Sequence, residues 1–123
     1  MLLQLHNLRK RFLSDQIYTS VGTILVAVNP FKLLPIYTPE VLQSYVGGAD
    51  SKVPHCWSIG AAAYRDLVSE QASQAVCISG ESGAGKVGST AIVLSALGTI
   101  DSLVILLADG VHEVDSAMLG RVQ

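Results

Sequence analysis

A glycine-rich stretch in the second half of the chain combines residue types and spacing that could do chemistry. Residues 74–79 (QAVCIS) have the pattern of a short apolar strand, and residues 80–86 (GESGAGK) follow at once. Gly80, Gly85 and Lys86 satisfy the spacing G-x-x-x-x-G-K, in which glycines turn backbone N–H groups towards an anion and the lysine reaches terminal phosphates. A helix beginning near Gly85 would add its positive end. The stretch predicts a nucleotide-phosphate loop, with an ordinary glycine-rich turn as the alternative.

The residue after the lysine departs from the usual form of this pattern. Ser or Thr is typical there, because its hydroxyl coordinates the Mg²⁺ of the nucleotide, and here the residue is Val87. Ser89 and Thr90 cannot replace that hydroxyl, since residues further along a helix project from other parts of the turn. We expect the loss to weaken Mg-ATP binding by about 1.5–3 kcal/mol, or roughly ten- to hundredfold. No metal ligand is assigned to the chain.

Composition and charge argue against several classes of protein. The chain has 123 residues, 50% of them hydrophobic and only 15% charged, which suits one domain cut from a larger core. The net charge is −2 and residues 9–11 form the one basic triplet, expected at a solvated helix end, so nucleic-acid binding is not indicated. Cys56 and Cys77 are expected to be buried and reduced, as in a cytosolic protein. No secretory leader is expected. A membrane span is not expected either, because Asp101 interrupts the most apolar run.

Apolar residues near the beginning of the chain recur at spacings of three and four. This periodicity predicts a short amphipathic helix that ends near residues 14–15 and packs one face on another element. The residues on that face are Leu2, Leu3, Leu5, Leu8, Phe12 and Leu13.

Residues 17–29 are rich in β-branched and aromatic types, which predicts a hairpin or a bent strand with Gly22 at the bend. The second half of this segment is apolar on both faces, as in a strand covered on both sides. Asn29 and Pro30 end the strand, because proline removes a backbone donor and favours a turn.

Two further helices are predicted before the phosphate loop. The first begins with Thr38 as N-cap, Pro39 at the first helical position and Glu40 near the positive end of the helix dipole, and it stops at Gly47. The second runs over residues 54–73 with one buried stripe. The stripe consists of Trp57, Ala61, Tyr64, Leu67, Val68 and Ala72.

A helix over residues 85–97 is expected to follow the loop. The apolar run at residues 103–108 fits either a buried strand or more helix, because periodicity does not separate the two. Residues 109–123 carry no usable signal.

Taken together, these stretches resemble the front part of the myosin motor head, over about residues 1–98. The run Gly-Glu-Ser-Gly-Ala-Gly-Lys is highly specific to that family among phosphate-loop proteins. The matching residues are Arg11-Phe12, Ile17-Tyr18-Thr19, Gly22, Leu25-Val26-Ala27-Val28-Asn29-Pro30-Phe31-Lys32, Ile36-Tyr37, Tyr45, Pro54-His55, Ala63-Tyr64 and residues 80–86.

The resemblance implies a fold and a site. The fold is α/β with a partial P-loop NTPase-type core, in which helices pack on a mostly buried sheet; residues 1–98 form this motor segment and residues 99–123 a divergent tail. Asn29, Pro30 and Tyr37 lie against the adenine in the family. The phosphate loop consists of Gly80, Glu81, Ser82, Gly83, Ala84, Gly85, Lys86 and Val87.

The resemblance also implies ATP as the ligand and ATP-driven movement on actin as the family function, in the cytoplasm and on the cytoskeleton. The actin-binding surface lies outside this chain. So do the family's Asn-Ser-Ser-Arg-Phe-Gly-Lys and Asp-Ile-x-Gly-Phe-Glu loops, which sense and position the terminal phosphate. Hydrolysis needs groups on the far side of the phosphate from the loop, so we expect ATP binding without turnover.

Two other functions stay open at this point. A small phosphate-loop kinase of another family would need an acidic Mg²⁺ ligand at a strand end, for which Asp109 is the one candidate. The absence of a hydroxyl at Val87 also fits a catalytically dead fragment that binds no nucleotide.

Overall fold

The computed structural model describes residues 1–46, 53–101, 106–108 and 111–114. The helices are α1 (Leu2–Leu13), α2 (Pro39–Val46), α3 (Cys56–Glu70) and α4 (Lys86–Asp101). The strands are β1 (Tyr18–Val21), β2 (Ile24–Ala27), β3 (Gln74–Cys77), β4 (Leu106–Ala108) and β5 (Val111–Val114). Within these described ranges, no helix is both long enough and apolar enough to cross a membrane.

The predicted hairpin is confirmed, with Gly22 at its bend. Strands β1 and β2 pair antiparallel, and the φ of +60° at Gly22 is the left-handed conformation that glycine adopts without strain. The prediction that the second half is covered on both faces is wrong. Ile24 is 66% exposed and Ala27 is also exposed, and residues three apart lie on opposite faces of a strand, so neither face of β2 is fully covered.

Helix α1 ends where the sequence predicts, but most of its apolar face is not packed. None of its residues is buried, and Leu2 and Leu3 are among the most exposed large apolar residues that the structure describes. Two neighbouring residues attach the helix to the hairpin. Phe12 packs against the core, and Arg11 donates hydrogen bonds to Thr19 Oγ1 (2.9 Å) and to a backbone oxygen of β1 (2.8 Å). The basic triplet is therefore only partly solvated.

Helix α2 begins as the sequence predicts. The backbone N–H of Val41 donates to Thr38 Oγ1 over 3.4 Å, which is an N-cap contact, and Pro39 is the first helical residue. The helix ends at Val46; the predicted stop at Gly47 lies outside the described residues.

Helix α3 is shorter than predicted at both ends, and Gln71 ends it in a left-handed conformation with a φ of +54°. Trp57 and Leu67 of the predicted stripe are buried, but Val68 is exposed and Ala72 lies beyond the helix. The helix packs on α4, and the largest cluster of core residues gathers around this contact and the hairpin. Its buried members are Ile17, Tyr18, Leu34, Cys56, Leu67, Val93 and Leu97.

The second sheet has the strand order β3-β5-β4, and both pairings are antiparallel. Strand β5 comes from the segment for which the sequence offered no signal. A mostly buried sheet is not confirmed: Val76 is the buried residue of β3, whereas Ala75 and Cys77 are exposed. The prediction that Cys77 is buried is wrong, while Cys56 is buried as expected. A P-loop NTPase-type core is not confirmed either. Such a core alternates strands and helices, which favours parallel pairing, whereas both pairings of this sheet are antiparallel.

Candidate phosphate-binding site

The glycine-rich loop connects β3 to α4, as the sequence predicts. Gly83 and Gly85 have φ angles of +80° and +92°, which L-amino acids with a side chain rarely adopt. Between them, the N–H of Ala84 donates to the carbonyl oxygen of Glu81 over 3.1 Å and closes a turn. The two positive φ angles therefore favour glycine at Gly83 and at Gly85, of which Gly85 is a fixed position of the motif.

The first turn of α4 presents backbone donors at the end of this loop. The first hydrogen bond of the helix joins the N–H of Ser89 to the carbonyl oxygen of Gly85 over 2.9 Å. The N–H groups of Lys86, Val87 and Gly88 precede that bond, and such groups have no partner within a helix. Together with the helix dipole they favour an anion at this position.

Lys86 brings the positive charge that the motif predicts. Its ammonium donates to the carbonyl oxygen of Gly80 over 2.7 Å and to that of Glu81 over 2.8 Å. The side chain thus spans the loop and holds its charge above the same turn that the glycines form. A phosphate would meet this ammonium together with the donors of α4.

Asn29 joins the turn after the hairpin to the phosphate loop. Its Nδ2 donates to the carbonyl oxygen of Gly83 over 3.0 Å, and its Oδ1 accepts from the N–H of Phe31 over 2.9 Å. A Cβ on Gly85 would lie 3.6 Å from the Asn29 amide, which is an ordinary contact distance, so the φ of +92° rather than lack of space favours glycine there. Pro30 follows half-buried, and Phe31 is 85% exposed with a φ of +50°.

Tyr37 is part of a group of aromatic rings in the core. Its hydroxyl shares a hydrogen bond of 2.8 Å with the hydroxyl of Tyr18, and its ring centroid lies 5.4 Å from that of His55 and 5.9 Å from that of Trp57. Burial raises the pKa of both tyrosines, which keeps the two hydroxyls protonated. Contact of Tyr37 with an adenine stays a prediction.

His55 has a structural role in packing, as the sequence indicates, rather than a catalytic one; its individual contacts come from the structure. Its Nδ1 accepts from the N–H of Trp57 over 3.0 Å and caps α3, while its Nε2 donates to the carbonyl oxygen of Ile36 over 3.0 Å. The ring is buried, and burial lowers the pKa of this imidazole below its ordinary value. No sequence signal pointed to this cap, because the predicted helix begins at residue 54 and histidine is not among the residues preferred as caps.

The loop suits phosphate better than it suits Mg²⁺. Gly83 has open space where a Cβ would stand, and backbone donors and an ammonium surround the turn. Val87, by contrast, is 85% exposed and has no oxygen that could bind a metal ion. Among the residues that the structure describes, no group of three or more His, Cys, Asp or Glu side chains could hold a metal.

Comparison with known proteins gives one consistent relationship. The family model of the myosin head (motor domain) matches residues 3–110. The high molecular weight form of myosin-1 from Acanthamoeba castellanii is 54% identical over 82 residues, which are 66% of this chain and 5% of that protein.

Two other relatives show a similar likeness. The non-muscle myosin-2 heavy chain of Acanthamoeba castellanii is 46% identical over 97 residues (78% of this chain and 6% of that protein). Unconventional myosin-IXa of Mus musculus is 44% identical over 94 residues (76% and 4%). The chain therefore spans about one-twentieth of the length of these relatives. By the extent of the family match, the chain belongs to the myosin head (motor domain) family.

Proposed function

We propose that this chain is the ATP-binding segment of an actin-based motor and that its phosphate loop, residues 80–87, holds the nucleotide phosphates. The observation that carries the proposal is the convergence of Lys86 Nζ, the glycine turn and the first N–H groups of α4 on one loop. An ammonium and several backbone donors around a turn without side chains form an anion site.

Each part of the loop has a distinct role in this proposal. The ammonium of Lys86 exchanges the carbonyl oxygens of Gly80 and Glu81 for phosphate oxygens, which are better partners because they carry charge. Asn29 holds the backbone of Gly83 and keeps the loop in one shape. Asn29, Pro30 and Tyr37 are assigned to the adenine, as the resemblance implies. Glu81, Ser82 and Ala84 contribute backbone to the turn.

We propose that the magnesium ion of Mg-ATP binds weakly here, since Val87 offers it no ligand. ATP, when bound, supplies the phosphoanhydride bond whose hydrolysis drives movement on actin in the family. Residues of this chain hold the phosphates from one side only, so we propose binding without turnover. We propose actin as the partner and the cytoplasmic cytoskeleton as the location of the longer motor of which this chain would be a segment. The division into a motor segment at residues 1–98 and a divergent tail at residues 99–123 stays a prediction.

Neither alternative has a specific observation in its favour. The kinase hypothesis depends on Asp109, which lies outside the described residues. A fragment that binds no nucleotide is the outcome that the following experiment would detect.

The test is a thermal unfolding curve of the whole chain with and without ATP, in EDTA and in Mg²⁺. A ligand that binds only the folded state stabilises it by about 2.7 kcal/mol at a concentration of 100 times the dissociation constant, so ATP should raise the unfolding midpoint. Lys86→Met should abolish the shift, and Lys10→Met, which removes an exposed lysine of α1, should preserve it. A midpoint that ATP leaves unchanged in the unmutated chain would overturn the proposal.

A further inference from the structure

Helix α1 turns one face towards the hairpin and the opposite face towards solvent. Leu8, Arg11 and Phe12 are half-buried, and their spacing of i, i+3 and i+4 places them on one face of the helix. Phe12 packs against the core, and Arg11 donates hydrogen bonds to Thr19 Oγ1 and to the backbone of β1. These contacts fix the orientation of α1 and so determine which side chains point away from the protein.

The solvent-facing side of α1 mixes leucines with basic side chains. We call it the outer face, and it consists of Leu2, Leu5, His6, Arg9, Lys10 and Leu13, all of them exposed. Leu2, His6, Arg9 and Leu13 follow one another at spacings of four, three and four, which places them on one stripe. Leu13 also lines an open groove of about 500 Å³ together with the three basic side chains. The apolar and the charged groups of the outer face therefore meet the same space.

The charge of the outer face is positive, although the whole chain has a net charge of −2. Residues 1–14 contain no Asp or Glu. The first acidic residue of the chain, Asp15, pairs with Lys32 over 2.6 Å, so its charge is compensated. Salt screens exposed charges that are more than about 10 Å apart, so an approaching surface responds mainly to the charge nearest to it. The outer face should therefore attract anions.

This mixture fits the surface of a lipid bilayer better than a groove in another protein. A protein that covered Leu2 and Leu13 would also cover Arg9 between them, and burying an unpaired charge is costly. At a bilayer, leucines enter the boundary of the acyl chains while basic side chains extend to the lipid phosphates. The 12 residues of α1 are about 18 Å long, which is too short to span a hydrocarbon core of roughly 30 Å. The helix would lie along the surface.

We propose that the outer face of α1 binds the surface of an anionic phospholipid membrane, with the helix axis parallel to that surface. The argument for this partner is charge complementarity between the lipid phosphates and Arg9 and Lys10, on a face whose leucines can enter the acyl boundary. The fold already holds α1 as a helix against the hairpin, so binding does not have to order it. This proposal does not depend on nucleotide binding.

The test is flotation of the whole chain with phospholipid vesicles of two compositions. Vesicles of phosphatidylcholine with about 30% phosphatidylserine should bind the chain at least tenfold more tightly than vesicles of pure phosphatidylcholine, because each basic residue near an anionic surface strengthens binding about fivefold. Raising the NaCl concentration from about 0.1 M to about 0.5 M should weaken binding to the anionic vesicles, since salt screens the charges. Equal binding to both compositions, or binding to neither, would overturn the proposal.

Matched variants place the contact on α1. Arg9→Gln should weaken binding to the anionic vesicles about fivefold, whereas Arg65→Gln, which removes an exposed arginine of α3, should preserve it. Leu13→Gln should weaken binding about tenfold by removing apolar contact, and Val68→Gln on α3 should preserve it. Glutamine favours a helix about as well as leucine and arginine do, so α1 should persist, which circular dichroism checks. Equal losses from the α1 and α3 variants would overturn the proposal.

Sedimentation velocity of the chain separates a lipid surface from a second copy as the occupant of the outer face. A chain that stays monomeric at the concentrations used for flotation has its outer face open to lipid, as the proposal requires. Dimers that Leu13→Gln dissociates and that anionic vesicles leave intact would identify a second copy as the occupant and overturn the proposal.

Discussion

Asn29 donates a hydrogen bond from its side-chain amide to the carbonyl oxygen of Gly83 over 3.0 Å, although 54 residues separate them in the sequence. The bond joins the turn after the hairpin to the middle of the phosphate loop. Asn29 Oδ1 accepts a hydrogen bond from the N–H of Phe31, so the two ends of one amide define the shape of both segments. The loop geometry is thus supported from outside its own sequence.

Replacing Asn29 should loosen the phosphate loop. Asn29→Ala removes both hydrogen bonds, and a hydrogen bond of this kind contributes about 0.5–1.5 kcal/mol, so ATP affinity should fall about two- to tenfold. Isothermal titration with ATP measures the loss, and amide hydrogen exchange at Ala84, whose N–H closes the turn of the loop, should become faster. Asn7→Ala, which changes an exposed asparagine of α1, should alter neither quantity. An unchanged exchange rate in Asn29→Ala would contradict the role assigned to this bond.

Restoring a hydroxyl after the lysine should restore dependence on magnesium. Val87 is exposed at the beginning of α4, so Val87→Thr should fold without strain. The ratio of ATP affinities with and without Mg²⁺ should rise roughly ten- to hundredfold, because one charge-assisted contact is gained. Val87→Ala shortens the side chain without adding oxygen and is the matched control. If Val87→Thr behaves like Val87→Ala, the rest of the site does not place the metal ion beside this residue.

The contact between α3 and α4 should be sensitive to volume at Gly60. A Cβ at this position would lie 3.1 Å from the carbonyl oxygen of Val93 and 3.3 Å from the Cβ of Ala96. Gly60→Val should lower the free energy of unfolding by ~1–3 kcal/mol through overpacking. Gly88 has nothing within 4 Å of the corresponding position, so Gly88→Ala should raise it by up to about 1 kcal/mol. Urea unfolding of both variants measures the difference, and equal effects would contradict the packing described here.

Acid should destabilise the fold through His55. Burial lowers the pKa of His55 from its ordinary value of 6.5, so the unfolded chain binds a proton more readily than the folded chain does. The stabilisation by neutral His55 is fully present above about pH 6.5 and is lost as the pH falls below that value. Protonation also removes the acceptor at Nδ1 that caps α3.

Unfolding midpoints between pH 7.5 and pH 5 measure this effect. They should fall with the pH in the unmutated chain, and the fall should be smaller in His55→Asn, whose oxygen can still cap the helix. His6→Asn, on exposed α1, should keep the full dependence. A pH dependence that is the same in His55→Asn would assign the effect to other groups.

The features that the sequence determined are those set by short-range interactions. The bend at Gly22, the cap at Thr38 and the turn at Gly83 and Gly85 each follow from backbone conformation or from contacts within a few residues. Such interactions depend on local residue types, so the phosphate loop and most helices could be predicted. Membership of the motor family followed from the same local runs.

The tertiary structure alone decided the features that depend on distant partners. Periodicity shows that a face is apolar, but whether anything covers it depends on the rest of the fold. This is why most leucines of α1 are exposed against expectation. Likewise, the bond from Asn29 to Gly83, the burial of His55 and the insertion of β5 between β3 and β4 join residues far apart in the chain. No local pattern encodes such contacts, because their partners are brought together only when the chain packs.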